Sequence, residues 1–257
     1  MAMKLPPLFD FDFPKYVKDT SYKNINVYWY EQNFTQSRYP PGQEISEACT
    51  IICLLVAQRI ANSKILIWNV ETCPQLDIFI AESIIEGNDI HAWIVERGLV
   101  SHPYLNTDEA LKFGGKRLKT LKEWKFHVFK EDIELNLCNN IQLFLKEWYK
   151  KPKAESLIML LITCGRTNLF LFQGNTERVT FFDPHAHPTE RFSNRGLVVS
   201  QTKLDKLDYL CDWYTQEILN NCFNVQARQY ELAFLYYDKS SCCKNEGYPC
   251  DCGCSKC

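Results

Sequence analysis

Four side chains in two short segments could together carry out nucleophilic acyl transfer. Gln43 and Cys49 lie in one segment, and Asp183 and His185 lie far downstream in the other. A thiol is a nucleophile, an imidazole can take up and return a proton, and a carboxylate can orient the imidazole. The amide of Gln43 could donate a hydrogen bond to the oxyanion on the attacked carbonyl. The two segments therefore predict catalysis by an activated cysteine.

The elements around these residues are suited to position them. An apolar run from Ile51 to Ala61 indicates a buried helix that starts near Cys49. The free N–H groups and the dipole at a helix N-terminus lower the pKa of a thiol. Val179 to Phe182 is typical of a strand, and side chains two apart in a strand face the same side. We therefore expect Asp183 to hold the His185 ring in the tautomer that faces the sulfur.

The pattern of the whole chain predicts an α+β fold, with a mostly helical half up to residue 150 and an antiparallel meander after it. Pro74 suits the first turn of the second helix, and Gly87 suits its C-cap. Turns that contain Gly165 and Gly174 join the first three strands of the meander. The predicted helices are 46–62, 74–86, 107–114, 140–149 and 203–219, and the predicted strands are 65–68, 157–163, 167–172, 179–182, 196–199 and 233–237.

Composition narrows the class of protein. The chain has 257 residues, of which 46% are hydrophobic, enough for a substantial core. Its 29 basic and 31 acidic residues give a net charge of -2 without long runs of one sign, so no nucleic-acid partner is expected. Pro6, Pro7, Asp10 and Asp12 interrupt the segment where a signal peptide would need an apolar core, and no apolar run reaches the length of a membrane span. The expected location is the cytoplasm.

Cysteines separate a C-terminal tail from the rest of the chain. Six of the 13 cysteines lie in the last 16 residues, while the others are scattered among apolar neighbours. We divide the chain into an N-terminal extension at 1–39, a catalytic domain at 40–240 and a Cys-rich tail at 241–257. The tail thiols could bind zinc, or they could be S-acylated and attach the protein to a membrane. The third alternative is a reduced, disordered tail. The tail cysteines are Cys242, Cys243, Cys250, Cys252, Cys254 and Cys257.

The order of these motifs resembles that of papain-like cysteine proteases. Gln43 precedes Cys49 as an oxyanion-hole glutamine precedes the nucleophile in those enzymes. The Asp183-x-His185 pair is similar to the herpesvirus large-tegument-protein deubiquitinase type and its cellular and transposon relatives. The resemblance implies a papain-like fold and a triad of Cys49, His185 and Asp183, with no cofactor for catalysis. It also implies a protein substrate, either ubiquitin or a ubiquitin-like protein, and thus a deubiquitinase or isopeptidase.

The sequence is compatible with two other interpretations. A papain-like fold can serve as a catalytically inactive interaction module, targeted here through the Cys-rich tail. His185 and His187 form a His-x-His pair that could supply two metal ligands in an amidohydrolase-like barrel. Such a site needs further histidines on later strands, and the chain has none after His187. We therefore expect His187 to line the cleft or to be exposed.

Overall fold

The computed structural model describes residues 13–42 and 45–241. The strands are β1 (Tyr16–Asp19), β2 (Asn26–Glu31), β3 (Leu121–Phe129), β4 (Ser156–Thr163), β5 (Arg166–Gln173), β6 (Arg178–Asp183), β7 (Arg195–Lys203) and β8 (Tyr230–Tyr237). The α-helices are α1 (Cys49–Ser63), α2 (Pro74–Glu96), α3 (Thr107–Phe113), α4 (Ile133–Trp148) and α5 (Leu207–Trp213), and α5 continues as a π-helical segment, Tyr214–Cys222.

All described strands belong to one antiparallel sheet in the order β1-β2-β7-β6-β5-β4-β8-β3. The meander predicted from β4 onwards is confirmed. Helices cover both faces of the sheet, so the central strands β4, β5 and β6 are buried along most of their length. This explains why their sequences are continuous apolar runs rather than the alternating pattern of a half-exposed sheet.

Two hydrophobic cores lie on opposite faces of the sheet. The first contains α1 and α2, and the second contains α4, α5 and the π-helical segment. Every residue of α1 from Cys49 to Ile60 is buried, as expected of a helix that is apolar on all sides. The helix start that carries Cys49 is therefore fixed against β5 by packing on every side.

Helix α2 extends ten residues past the predicted end at 86, to Glu96. Gly87 is not a C-cap but lies inside α2, where α1 and α2 cross. A Cβ atom at this position would lie 2.6 Å from Cγ1 of Ile52 on α1. The glycine thus permits close packing of the two helices, and it does not end the second one.

The predicted strand at 65–68 is wrong. Residues 65–67 have no regular structure, because side chains of two strands take up their backbone groups. Gln173 Nε2 donates to the carbonyl oxygen of Ile65, and the N–H of Ile67 donates to Gln173 Oε1, at 2.8 and 3.0 Å. Gln201 Nε2 donates to the carbonyl oxygen of Ile67 at 2.9 Å. The side-chain amides of Gln173 and Gln201 therefore make the backbone hydrogen bonds that a neighbouring strand would otherwise make.

The N-terminal half contains three strands that the sequence pattern did not predict. Residues 13–39, assigned above to an extension, contribute β1 and β2, and β2 pairs with β7 inside the sheet. Strand β3 forms the opposite edge and is largely exposed, with charged side chains. The first half is mostly helical, as predicted, and it also contributes these three strands to the sheet. Helix α3 agrees with its prediction, while α4 starts earlier, at Ile133.

Candidate active site

Cys49 is the first residue of α1, and its thiol is almost completely buried. Ala48 at the N-cap offers no side-chain hydrogen bond to the helix, and the first turn has no acidic residue. The free N–H groups and the dipole of the helix therefore act on the thiol without competition from a capping side chain. Packing of α1 in the first core holds the helix against β5, where Thr167 forms hydrogen bonds with the thiol.

His185 and Asp183 lie at the end of β6, next to Cys49. Nδ1 of His185 is 2.6 Å from Oδ1 of Asp183, and the same oxygen accepts a hydrogen bond from the backbone N–H of His185 at 3.0 Å. The other side of the His185 ring forms a hydrogen bond with the Cys49 thiol. The three side chains thus form a row of thiol, imidazole and carboxylate.

The electrostatics of this row favour charge separation between Cys49 and His185. Burial alone would raise the pKa of the Cys49 thiol, but hydrogen bonding and charge from His185, with hydrogen bonds from Thr167, lower this pKa below its ordinary value. Burial would lower the pKa of His185, yet the charge and hydrogen bond of Asp183, with those of Cys49, raise it to about 9. Shifts in these opposite directions favour the pair of thiolate and imidazolium over the neutral thiol and imidazole.

Cys53, one turn further along α1, shows the effect of burial without such partners. Burial, together with the negative charges of Cys49 and Asp183, raises the pKa of the Cys53 thiol well above its ordinary value. Its sulfur is 3.5 Å from the carbonyl oxygen of Thr167. The pKa values of two cysteines in one helix are therefore shifted in opposite directions, because His185 lowers that of Cys49 and burial raises that of Cys53.

The hydroxyl groups of Thr167 and Thr50 form a buried pair next to Cys49. Thr167 on β5 contributes both its side chain and its backbone to the hydrogen bonds of Cys49. Oγ1 of Thr167 lies 2.7 Å from Oγ1 of Thr50, which donates to the carbonyl oxygen of Leu105 at 2.9 Å. No sequence pattern indicates this contribution, because a threonine inside an apolar strand is usually part of the core.

Asp183 has a second imidazole partner that sequence reasoning missed. Nε2 of His187 is 3.0 Å from Oδ2 of Asp183, and both side chains are fully buried. His187 was expected to line the cleft or to be exposed, and the structure corrects this. Burial would raise the pKa of Asp183, but the charges of His187 and His185 and their hydrogen bonds hold it well below its ordinary value.

Gln36 connects the segments that carry the cysteine and the histidine. Its backbone N–H donates to the carbonyl oxygen of Pro184, and its Nε2 donates to that of Ser46, both at 2.9 Å. The side chain is buried, and its Oε1 has no hydrogen-bond partner among the described residues. Gln43, the amide predicted to stabilise the oxyanion, lies outside the described residues.

This architecture is similar to that of a solved viral protease. The ubiquitin-specific protease encoded by murine cytomegalovirus tegument protein M48, crystallised with a ubiquitin-based suicide substrate, superposes with a TM-score of 0.52 at 14% identity. The match covers 85% of this chain and 88% of that one. The fold is papain-like. At this level of identity the similarity concerns the fold alone.

Other comparisons add little. The Pseudomonas avirulence protein AvrPphB matches with a TM-score of 0.43 at 9% identity, over 75% of this chain and 95% of that one. The sequence matches no protein family and no curated protein. Among the residues that the structure describes, no cluster of three or more His, Cys, Asp or Glu side chains could hold a metal ion. The candidate zinc ligands at 242–257 lie outside these residues.

Proposed function

We propose that this protein is a cysteine protease with Cys49 as nucleophile, His185 as general acid and base, and Asp183 as the residue that orients His185. The observation that carries the proposal is the hydrogen-bonded row of these three side chains at an uncapped helix start. A thiol with a lowered pKa beside an imidazole with a raised one is the arrangement that cysteine nucleophiles require. The same observation favours an enzyme over an inactive interaction module.

The chemistry then proceeds in two steps. The Cys49 thiolate attacks the carbonyl carbon, a C–S bond forms, and the carbonyl π electrons move to the oxygen. As that oxyanion collapses, the C–N bond breaks and Nε2 of His185 gives its proton to the leaving amine, which leaves a thioester on Cys49. Neutral His185 next takes a proton from water, and the resulting hydroxide cleaves the thioester and restores the thiolate and the imidazolium.

The oxyanion requires donors, and two glutamines compete for the role. The backbone N–H of Cys49 is one donor, and the amide of Gln43 is the second donor predicted from sequence. Gln36 is the alternative, because its contacts with Ser46 and Pro184 place it between the cysteine and histidine segments. A side-chain amide has two N–H groups, and only one of those on Gln36 is used in the bond to Ser46.

Single substitutions will show which of the two glutamines donates to the oxyanion. Replacing the residue that donates to the oxyanion by alanine should lower kcat by about 10²- to 10³-fold with little change in KM. The other variant should keep kcat within about threefold of the wild type. Steady-state kinetics of Gln36→Ala and Gln43→Ala give the comparison, with the thermal melting curve of each variant as a check on folding. Equal, small losses in both would show that neither amide contacts the oxyanion.

The substrate class we propose is ubiquitin or a ubiquitin-like protein joined through its C-terminus. The similarity of the fold to a protease solved with a ubiquitin-based suicide substrate supports this choice. A panel of electrophilic probes tests it: ubiquitin and several ubiquitin-like proteins, each with a thiol-reactive C-terminus. We expect one probe to add covalently to the protein in intact mass spectra. If the protein cleaves unrelated peptides and no probe labels it, it is a protease but the proposed substrate class is wrong.

The remaining proposals concern location. We propose a cytoplasmic protein whose Cys-rich tail binds zinc or is S-acylated and thereby associates with membranes. Residues 242–257 of this tail lie outside the described residues. Among the helices that are described, none combines the length and the apolar character needed to cross a bilayer.

A further inference from the structure

Asp183 lies between two imidazole rings, and each ring takes one carboxylate oxygen. Oδ1 faces Nδ1 of His185 at 2.6 Å, and Oδ2 faces Nε2 of His187 at 3.0 Å. The side chains of Asp183 and His187 have no solvent exposure, whereas that of His185 is 15% exposed. The proposed mechanism uses His185 and leaves His187 without a role.

The contacts of His187 determine how many protons it carries. Its Nδ1 is 2.9 Å from the carbonyl oxygen of Gly196, which can only accept, so Nδ1 must bear a proton. A neutral ring would then present the lone pair of Nε2 to Oδ2 of Asp183, which would place two acceptors against each other. The contact is satisfied only when a second proton lies between Nε2 and Oδ2. With an ionised Asp183, the ring is an imidazolium.

Two aromatic rings pack against His187. Its ring centroid is 5.5 Å from that of Trp29 on β2 and 5.3 Å from that of Phe223, which follows the π-helical segment. The backbone N–H of His187 donates to the carbonyl oxygen of Arg195. Water is thus kept away from a ring that carries charge, and Asp183 is the anion in direct contact with it.

The other charged side chains near this pair have contacts of their own. Arg195 on β7 is paired with Glu217 on the π-helical segment and with Asp19 at the end of β1, at 2.8 and 3.6 Å. Arg166 at the start of β5 lies over the ring of Phe223. Two further groups on the π-helical segment stay protonated, because burial, as the main cause, raises the pKa of Cys222 to about 12 and that of Tyr214 well above its ordinary value.

We propose that His187 is a positioning residue, a buried imidazolium that fixes Asp183 and balances its charge. With Cys49 as thiolate and His185 as imidazolium, Asp183 would leave the buried set with one net negative charge. His187 makes the set neutral. Asp183 can then orient His185 without binding its proton too strongly for transfer to the leaving amine. The effect on catalysis rests on the proposed function, whereas the protonation of His187 does not.

Nitrogen NMR of the wild-type protein labelled with ¹⁵N-histidine tests the protonation directly. We expect both ring nitrogens of His187 to be protonated at neutral pH. Replacing the other histidines singly by glutamine assigns the His187 signals by elimination, so this reading does not depend on any His187 variant that folds. A single ring N–H on His187 would overturn the proposal. The other histidines are His91, His102, His127 and His185.

His187→Gln tests the charge, because its amide can still donate to Oδ2 of Asp183 but carries no charge. The titration midpoint of His185 should move upwards by about one pH unit, since a nearby positive charge is lost. We expect kcat to fall by about tenfold at unchanged KM. His127→Gln, on the exposed strand β3, is the matched control. An unchanged or lower His185 midpoint in folded His187→Gln would overturn the charge-balancing role.

The two hypotheses fail separately. If His187 is an imidazolium in a protein that no ubiquitin or ubiquitin-like probe labels, the proposed substrate is wrong and the inference about His187 stands. If a probe labels Cys49 while His187 is neutral, the proposed function stands and the inference is wrong. Neither measurement depends on the result of the other.

Discussion

Replacing Cys49 by alanine will abolish hydrolysis, with kcat/KM lower than that of the wild type by about 10⁴-fold or more. The side chain that forms the bond to the substrate is then missing, and Cys53 cannot replace it because its thiol stays protonated. A fluorogenic ubiquitin substrate gives the rate, and intact mass spectra with the matching electrophilic probe give the site. Cys73→Ala, a buried cysteine at the N-cap of α2, is the control and should keep full activity.

The pH dependence of alkylation tests the same thiol without any substrate. Iodoacetamide should modify Cys49 at neutral pH well before Cys53. The rate should fall on the acid side, as the thiolate gains a proton at its lowered pKa. It should change again near pH 9, where His185 loses its proton. Alkylation of Cys49 as slowly as of Cys53 would contradict an activated thiol, as would a probe adduct that persists in Cys49→Ala.

The parts of the fold that the sequence predicts are those in which burial is continuous. Strands β4 to β6 and helix α1 are covered on all sides. Their apolar runs therefore predict these elements without knowledge of what packs against them. Strand β3 is an edge strand with mostly exposed residues, and its charged side chains hide the pattern. The end of α2 was predicted wrongly because Gly87 has a role in tertiary packing. It allows close contact with Ile52 on α1 and does not end the helix.

The residues of the candidate site also divide into those that local sequence indicates and those that only tertiary contacts reveal. Cys49, Asp183 and His185 could be proposed from their types and their places at the ends of predicted elements. His187 and Gln36 could not, because their importance comes from contacts across the fold. His187 contacts Oδ2 of Asp183, and Gln36 links two segments distant in sequence. Local spacing identifies the groups that react, and the folded structure identifies those that hold them.

Replacing Asp183 by asparagine will lower kcat by about 10²- to 10⁴-fold while the fold is retained. The neutral amide cannot raise the pKa of His185 as the carboxylate does, so His185 is mostly neutral near pH 7 and the Cys49 thiolate loses its cation. Both kcat and the rate of iodoacetamide labelling at neutral pH should fall. Asp205→Asn, an exposed side chain beside Lys206, is the matched control and should change neither. Full labelling in Asp183→Asn would mean that Cys49 ionises without the carboxylate.

The stability of Asp183→Asn should differ from that of the wild type in a pH-dependent way. The pKa of Asp183 is depressed in the folded state, so its contribution is present above the ordinary value of 3.8 and is lost as the pH falls towards the folded value. The pKa of His185 is raised, so its contribution is complete below the ordinary value of 6.5 and is lost as the pH rises through about 9. Denaturant unfolding between pH 3 and 10 should therefore show the largest stability difference between about pH 4 and 6.5. A difference independent of pH would mean that packing around Asp183, rather than its charge, stabilises the fold.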